Sequence, residues 1–437
     1  MSLTYWQRLG RRIYSLVMYL LVPVILWRLA WRGVSQRDYF RRWKERFGFF
    51  AARDGADGAI WVHAVSVGEV AAATPLIVRL RERYPERPLV ITTITPTGSA
   101  RVSKVWGEQA FHVYLPYDLP AAIQRFLHRA RPAIAIVMET EIWPNLFLEC
   151  ASAGIPIIIA NARLSERSLG GYGPVRGLAR MAVRCAHTVA AQSQADANRL
   201  IALGARPERV VVAGNMKYDL ALPQGLAFKS ASWRAGWGAE RPVWIAASTH
   251  EMEEAAVLRA QLQVLAHYPD ALLLWAPRHP ERFRAVEQHA RDAGLIVTTR
   301  RVHGLPGLGS QCFIINTLGE LLMFYATVDL AFVGGSLQPI GGHNVLEAAA
   351  LGVPSLVGPY TFNFVEVTEH LIADGAALRV AGGDGLGEAV MELMRDADRR
   401  NRMAEAARDM VASERGAVER TLALIEQAMV VHSGTTL

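Results

Sequence analysis

The sequence predicts an α/β protein: two Rossmann-like, doubly wound domains preceded by an N-terminal membrane-anchoring helix. Three observations carry this. From Ala59 onward, short Val- and Ile-rich runs alternate with amphipathic stretches of helical period, as buried parallel strands do when helices cover both faces of their sheet. The alternation occurs twice, on either side of a weakly periodic segment. Ahead of both, a nearly uncharged apolar stretch opens the chain.

That opening stretch, residues 13–26, holds no charge; extended to Trp31 it takes in Arg28. Some 19 residues at 1.5 Å each give roughly 28 Å, just enough to cross a hydrocarbon core of about 30 Å. Tyr14, Trp27 and Trp31 sit where interfacial anchors belong, and Arg28 is able to snorkel. Three readings compete. A cleaved signal peptide lacks its small-x-small site after Leu26. A spanning helix, with the more basic flank 28–46 on the inside, leaves the bulk of the chain cytoplasmic. A kinked helix lying in the interface is favoured by Pro23. An ordinary buried helix is the alternative to all three.

In the first half the predicted strands are 60–65, 89–93, 112–115, 133–138, 155–160, 188–191 and 210–213. In the second they are 243–247, 272–275, 295–298, 313–315, 330–333, 354–357 and 377–380. The segment 223–242, with Gln224-Gly225 and Gly236-Trp237-Gly238, reads as an interdomain linker. The domain plan is therefore 1–50 anchor and basic segment, 51–222 first domain, 223–242 linker and 243–437 second domain. Beyond Asp396 the chain reads as long polar helix.

Net charge is +7, and 51% of the 437 residues are hydrophobic. Residues 1–50 alone carry +8, leaving −1 for the rest, so the basic character is not a nucleic-acid-reading face, and no nucleic acid is expected. The basic stretch 37–46, interleaved with Tyr39, Phe40 and Trp43, suits anionic headgroups of membrane lipids. Three scattered cysteines exclude a disulfide framework and a cysteine zinc site. There is no phosphate-loop lysine motif and no His-Glu-x-x-His. Asp396 and Asp398 lie in a polar helical tract, so no obligatory metal or cofactor is expected.

Ligands of doubly wound sheets sit at the carboxyl ends of the strands, and so do the motifs here. Gly334-Gly335-Ser336 and then Gly341-Gly342-His343-Asn344-Val345-Leu346-Glu347 follow a strand. The glycines let backbone N–H groups approach a phosphate, and a helix is expected to open at Asn344. Asn344 and Glu347 also fit a helix cap, and Glu347 has the reach for ribose hydroxyls. Ser66-Val67-Gly68-Glu69 has the same double character: capping box, or general base near an acceptor hydroxyl. His63 reads as a satisfied core histidine. Glu139 and Glu141 share a face after a strand, and like charges raise a pKa; solvated loop acids are the plain alternative. Lys217 follows the last strand of the first half and suits an anion, although lone lysines are usually surface. In the second half, Thr249-His250-Glu251, Pro277-Arg278-His279 and Leu318-Gly319-Glu320 follow successive strands, with Arg278 a planar donor for phosphate or carboxylate.

Taken in order, 63–69, 139–145, 276–280, 341–347 and the Tyr360-Thr361-Phe362-Asn363-Phe364 segment resemble the 3-deoxy-D-manno-octulosonic acid (Kdo) transferases of lipopolysaccharide inner-core synthesis. The resemblance runs through almost the whole chain. It implies a glycosyltransferase B fold, with CMP-Kdo as donor and a lipid A precursor (lipid IVA) as acceptor. The place implied is the cytoplasmic face of the inner membrane. By motif, Glu69 matches the general base of a metal-independent inverting transfer, and Glu139 and Lys217 match positions supporting the transition state. Pro277, Arg278, Leu318, Gly319, Glu320, Asn344, Val345, Leu346 and Glu347 match the CMP-binding positions. Met252 and Val345 depart from the pattern, which favours Gly and Pro there. Another nucleotide-sugar on a membrane acceptor, or a non-catalytic nucleotide-binding scaffold at the membrane, are the alternatives.

Overall fold

A computed structural model describes residues 4–52, 57–220 and 222–433. The chain divides into two units, 1–219 with 415–437, and 220–414.

The first unit is built on strands β1 (Ala59–His63), β2 (Leu89–Thr93), β3 (Phe111–Tyr114), β4 (Pro132–Met138), β5 (Ile157–Ala162), β6 (Thr188–Ala191) and β7 (Val210–Val212). They form one parallel sheet in the order β3-β2-β1-β4-β5-β6-β7. Alternation along each strand feeds two cores. Trp61, Val137 and Ile157 point to one face, and Ile60, Ile136 and Ile158 to the other. Strand order reverses between β1 and β4, which leaves a crevice at their carboxyl ends where His63 is paired with Val137.

The second unit repeats the plan with β8 (Val243–Thr249), β9 (Leu272–Pro277), β10 (Val297–Thr299), β11 (Cys312–Ile314), β12 (Leu330–Val333), β13 (Ser355–Val357) and β14 (Ala377–Arg379). Their parallel order is β10-β11-β9-β8-β12-β13-β14, reversing between β8 and β12. Each predicted strand is present, displaced by at most two residues at its ends.

Two parts of the domain plan are corrected. Residues 223–242 are not a bare linker: Leu226–Trp237 is a helix whose Trp237 is fully buried in the second unit's core, with Trp233 against Phe324. The second domain also does not run to the end of the chain. The helix Ala417–Ser433 returns to the first unit, where Val418, Leu422 and Ile425 complete the core beneath the helix Val67–Arg83. Asp219 fixes its start, its two carboxylate oxygens accepting the N–H groups of Gly416 and Val418 at 2.6 Å each.

The apolar opening is two helices, Tyr5–Leu20 and Val22–Ser35, with Pro23 in the first turn of the second. Among the described residues no single helix is long and apolar enough to cross a membrane; the pair passes that test together, bent by 44°. Proline lacks the N–H that would continue the first helix, so the break falls there. Tyr14 is not an interfacial anchor. Its hydroxyl donates to the buried Asp118 at 2.9 Å, while Arg11 reaches Asn145 and Glu149. That polar side docks on the first unit, and Leu16, Leu20, Val24, Trp27 and Trp31 remain exposed. Exposed apolar surface of this extent marks an interaction site.

Candidate active site

In the first unit the helix Val67–Arg83 leaves the carboxyl end of β1 with Ser66 as its N-cap. Glu69 sits in its first turn, and its carboxylate accepts from the N–H of Val65 at 2.8 Å and from the hydroxyl of Ser66 at 3.0 Å. The capping reading and the catalytic reading therefore describe the same side chain. Burial pushes the Glu69 carboxyl up to about 7, and the charges of Glu139 and Glu141 add to the rise against the two hydrogen bonds. Those acids come from the loop after β4, the strand beside β1 at the switch point, which is why residues seventy positions apart share one field.

Glu139 itself is held in the left-handed region (φ 55°), unusual for a residue with a side chain, and pairs with Arg163 at 3.4 Å. Asn161 near the end of β5 and Ser248 near the end of β8 adopt the same conformation. Three strained non-glycine residues thus stand at strand ends, a place where backbone strain serves positioning. Glu141 accepts from the indole N–H of Trp143 at 2.8 Å, and burial raises its carboxyl too.

Lys217 lies half-buried on the short turn Met216–Tyr218. That turn is pinned by Asn161, whose side-chain oxygen accepts the N–H of Met216 at 3.0 Å. Sequence reasoning passed over Asn161 because an asparagine at a strand end carries no pattern of its own. His63 is only half satisfied. Its Nδ1 meets Thr92, its buried Nε2 has no hydrogen-bond partner among the described residues, and burial lowers the ring to about 4.

In the second unit the loops after β9, β11 and β12 bring the three predicted segments to one end of the sheet. Pro277 closes β9, and the N–H of Arg278 donates to Thr249 O at 2.9 Å while its side chain is exposed. Beside it, His250 and His343 stack in parallel with their Nε2 atoms 2.8 Å apart, and His279 packs edge-on. Burial and then Arg278 hold His343 at about 4; His250 is lowered as well, by burial first. His250 and His343 stay neutral beside a permanent cation, an arrangement suited to an anion.

The glycine loop works differently from its sequence reading. The N–H groups of Gly335, Ser336 and Leu337 all donate to the fully buried carboxylate of Glu253, at 2.7, 3.0 and 2.9 Å, and His250 N–H adds a fourth at 2.9 Å. These donors are committed within the protein rather than held ready for a phosphate. Gly334 is glycine because a Cβ there would lie 2.7 Å from Ser248 O and 2.9 Å from that carboxylate. Sequence reasoning missed Glu253; as the third residue of a helix it resembles an ordinary cap.

The helix expected at Asn344 opens at Leu346 and spans five residues. Asn344, one residue ahead of the N-cap Val345, accepts the N–H of Leu346 at 3.1 Å and donates to Glu347 at 3.1 Å. Val345 and Leu346 are buried, so only backbone atoms are on offer there. Burial raises the Glu347 carboxyl. Leu318 is exposed and Gly319 takes φ +90° to turn the chain. Glu320 is gripped by Arg300, whose guanidinium also stacks on Trp233 and Phe324. That pairing holds the Glu320 carboxyl below its ordinary value.

A family model described as 3-deoxy-D-manno-octulosonic-acid transferase (kdotransferase) matches residues 41–220. The 3-deoxy-D-manno-octulosonic acid transferase of Haemophilus influenzae is 40% identical over 418 residues, 95% of this chain and 98% of that protein. That of Bordetella pertussis is 38% identical over 432 residues, 96% and 99% of the two chains. Among solved structures, a glycosyltransferase from Rickettsia africae superposes with a TM-score of 0.53 at 13% identity over 85% of this chain and 99% of that one, a likeness of fold alone. With both sequence relatives matched from end to end, the chain belongs to the 3-deoxy-D-manno-octulosonic acid (Kdo) transferase family of glycosyltransferases.

Proposed function

We propose that the chain transfers Kdo from CMP-Kdo to a lipid A precursor, lipid IVA, at the cytoplasmic face of the inner membrane. Glu69 serves as general base of an inverting displacement. The acceptor hydroxyl gives its proton to the Glu69 carboxylate as its oxygen attacks the anomeric carbon. The bond from that carbon to the phosphate oxygen breaks, and CMP leaves with the electron pair. The observation that carries this reading is the carboxyl of Glu69 raised to about 7 at the end of β1, a value that balances basicity against ionisation near neutral pH.

Burial sets most of that basicity, the charge of Glu139 adds to it, and Lys217 supplies a cation on the same unit. On the second unit, Arg278 and the segments Pro277, Leu318–Glu320 and Asn344–Glu347 take the nucleotide. The permanent cation of Arg278 beside neutral His250 and His343 favours the phosphate. Glu347, paired only with Asn344 among the described hydrogen bonds, has acceptor capacity left for ribose hydroxyls. We assign no resident metal. Among the described residues no three His, Cys, Asp or Glu side chains gather in a way that holds an ion. The exposed apolar helix pair suits an acceptor whose acyl chains stay in a bilayer.

The test is product mass spectrometry with CMP-Kdo and lipid IVA, with and without EDTA. A lipid mass gain of one or more Kdo units, absent for Glu69→Gln and indifferent to EDTA, is the expected result. Transfer that survives Glu69→Gln removes the base; no transfer by folded protein removes the donor–acceptor pair, and UDP-sugar donors become the next candidates.

A further inference from the structure

Within the first unit, the second N-terminal helix roofs a cavity of about 340 Å³. Ile25, Leu29 and Trp143 give it apolar walls, and Arg28, Arg32 and Arg46 give it three cations. Among the described residues none of the three arginines pairs with a carboxylate. Arg46 is 3% exposed. One of its terminal nitrogens donates to Ile94 O at 2.7 Å and its guanidinium lies 4.2 Å from the Tyr114 ring centroid, yet its buried Nε has no hydrogen-bond partner among the described residues. A buried cation with an unused donor, beside two exposed guanidinium groups of which Arg32 also lies 5.8 Å from the Tyr39 ring centroid, leaves donor capacity that an anion satisfies. Planar guanidinium forks match the oxygens of a phosphate monoester.

The cavity also backs onto the turn that carries Glu69. Its wall residue Thr95 donates N–H to Val65 O at 3.3 Å, and Val65 donates N–H to Glu69 at 2.8 Å. A second wall residue, Trp143, holds Glu141, whose charge acts on Glu69.

Resting on the acceptor reading above, we infer that this cavity seats a phosphate group of the acylated acceptor. Arg28, Arg32 and Arg46 bind its oxygens and the apolar walls lead toward the exposed face of the helix pair. The phosphate then fixes which hydroxyl of the acceptor lies beside Glu69. Arg28, Arg32 and Arg46 are binding residues in this scheme and take no part in the chemistry at the anomeric carbon.

The test uses the full chain, lipid IVA and phosphatase-treated lipid IVA, with Arg28→Gln/Arg32→Gln as the variant; both side chains are exposed, so folding is retained. Three quantities are measured: acceptor KM and kcat, equilibrium binding of each lipid without donor, and binding to phosphatidylglycerol vesicles. The expected result is a KM for lipid IVA raised by about 10- to 100-fold, the worth of lost charge-assisted contacts. The KM for the phosphatase-treated lipid should be the same in both proteins, vesicle binding should be unchanged, and Arg28→Lys/Arg32→Lys should recover part of the loss. Equal weakening of both lipids, no change in either, or a loss that follows vesicle binding would overturn the inference, the last by assigning the cavity to bilayer lipid. Phosphate- and arginine-dependent binding of lipid IVA without any transfer by the wild-type chain would uphold the cavity and reject the activity.

Discussion

Ser66 and Glu69 hydrogen-bond each other twice: the Ser66 oxygen accepts the Glu69 N–H at 3.3 Å and its hydroxyl donates to the Glu69 carboxylate at 3.0 Å. One pair of side chains thereby starts a helix and adjusts a base. Burial raises the carboxyl to about 7 and the Ser66 bond restrains that rise. A base works deprotonated, so kcat/KM should climb as pH rises through a point near 7. Ser66→Ala removes the restraint and shifts that rise to higher pH; losing the cap also costs about 1 kcal/mol of stability. The pH profile separates the two effects, since a cap alone leaves its midpoint in place. The same raised carboxyl has a stability consequence of the opposite sense. The fold binds this proton more tightly than the unfolded chain does, so its contribution falls as pH rises from the ordinary carboxylate range toward 7.

Glu139 acts on Glu69 through charge, so Glu139→Gln should move the same midpoint to lower pH. Removing a negative neighbour eases ionisation of the one that remains. The midpoint answers independently of how far the absolute rate falls. A midpoint that stays near 7 would mean that burial alone sets it.

How much of this was legible in the sequence follows from what a local pattern encodes. Buried parallel strands are short and rich in Val and Ile, so runs such as Leu89–Thr93 and Leu330–Val333 announce themselves to the residue. The strand-end motifs follow, because a switch-point crevice has to be lined by what comes next. Partner choice over long distances leaves no such trace. Glu253 looks like the capping acid of its own helix, and its partners lie 82 to 84 residues away. The helix Ala417–Ser433 is amphipathic, but nothing in its period says that its apolar stripe covers the first sheet rather than the second. The helix Leu226–Trp237 hid behind its glycines, since a few buried tryptophans rather than a regular stripe hold it in place.

The return of the last helix makes a distinct prediction. Asp219→Ala leaves the N–H groups of Gly416 and Val418 without their acceptors and should cost about 1–2 kcal/mol. Ile425→Ala opens a cavity in the first unit's core and should cost about 2–5 kcal/mol. A chain ending at Glu414 should expose the face of Ile60, Ile136 and Ile158 and lose the first unit's cooperative unfolding. Denaturant unfolding followed by Trp fluorescence, with CMP binding measured alongside, checks the assignment. Loss of CMP affinity in proportion to loss of stability would place the helix with the second unit instead.

Glu253 and Glu347 are both acids in the second unit near the ends of β8 and β12, and the structure assigns them opposite consequences. The Glu253 carboxylate accepts four backbone N–H groups in a fully buried position, tying the start of one helix to the loop of Gly335, Ser336 and Leu337. An amide turns one of its two accepting oxygens into a donor that faces those N–H groups. Glu253→Gln should therefore cost about 3–5 kcal/mol, the range for breaking a buried, fully paired charge, and CMP binding should weaken because the loop geometry goes with it. Glu347→Gln gives up little, since Asn344 still has a side-chain oxygen to meet and the carboxyl, already raised by burial, is easily replaced by a neutral group. Its unfolding free energy in urea should stay within about 1 kcal/mol of wild type, on the scale of a single hydrogen bond. CMP affinity should nonetheless fall by about tenfold or more if the carboxylate accepts ribose hydroxyls. Calorimetric titration with CMP beside urea unfolding reads both quantities, and equal stability losses in the two variants would make Glu347 a cap and nothing more.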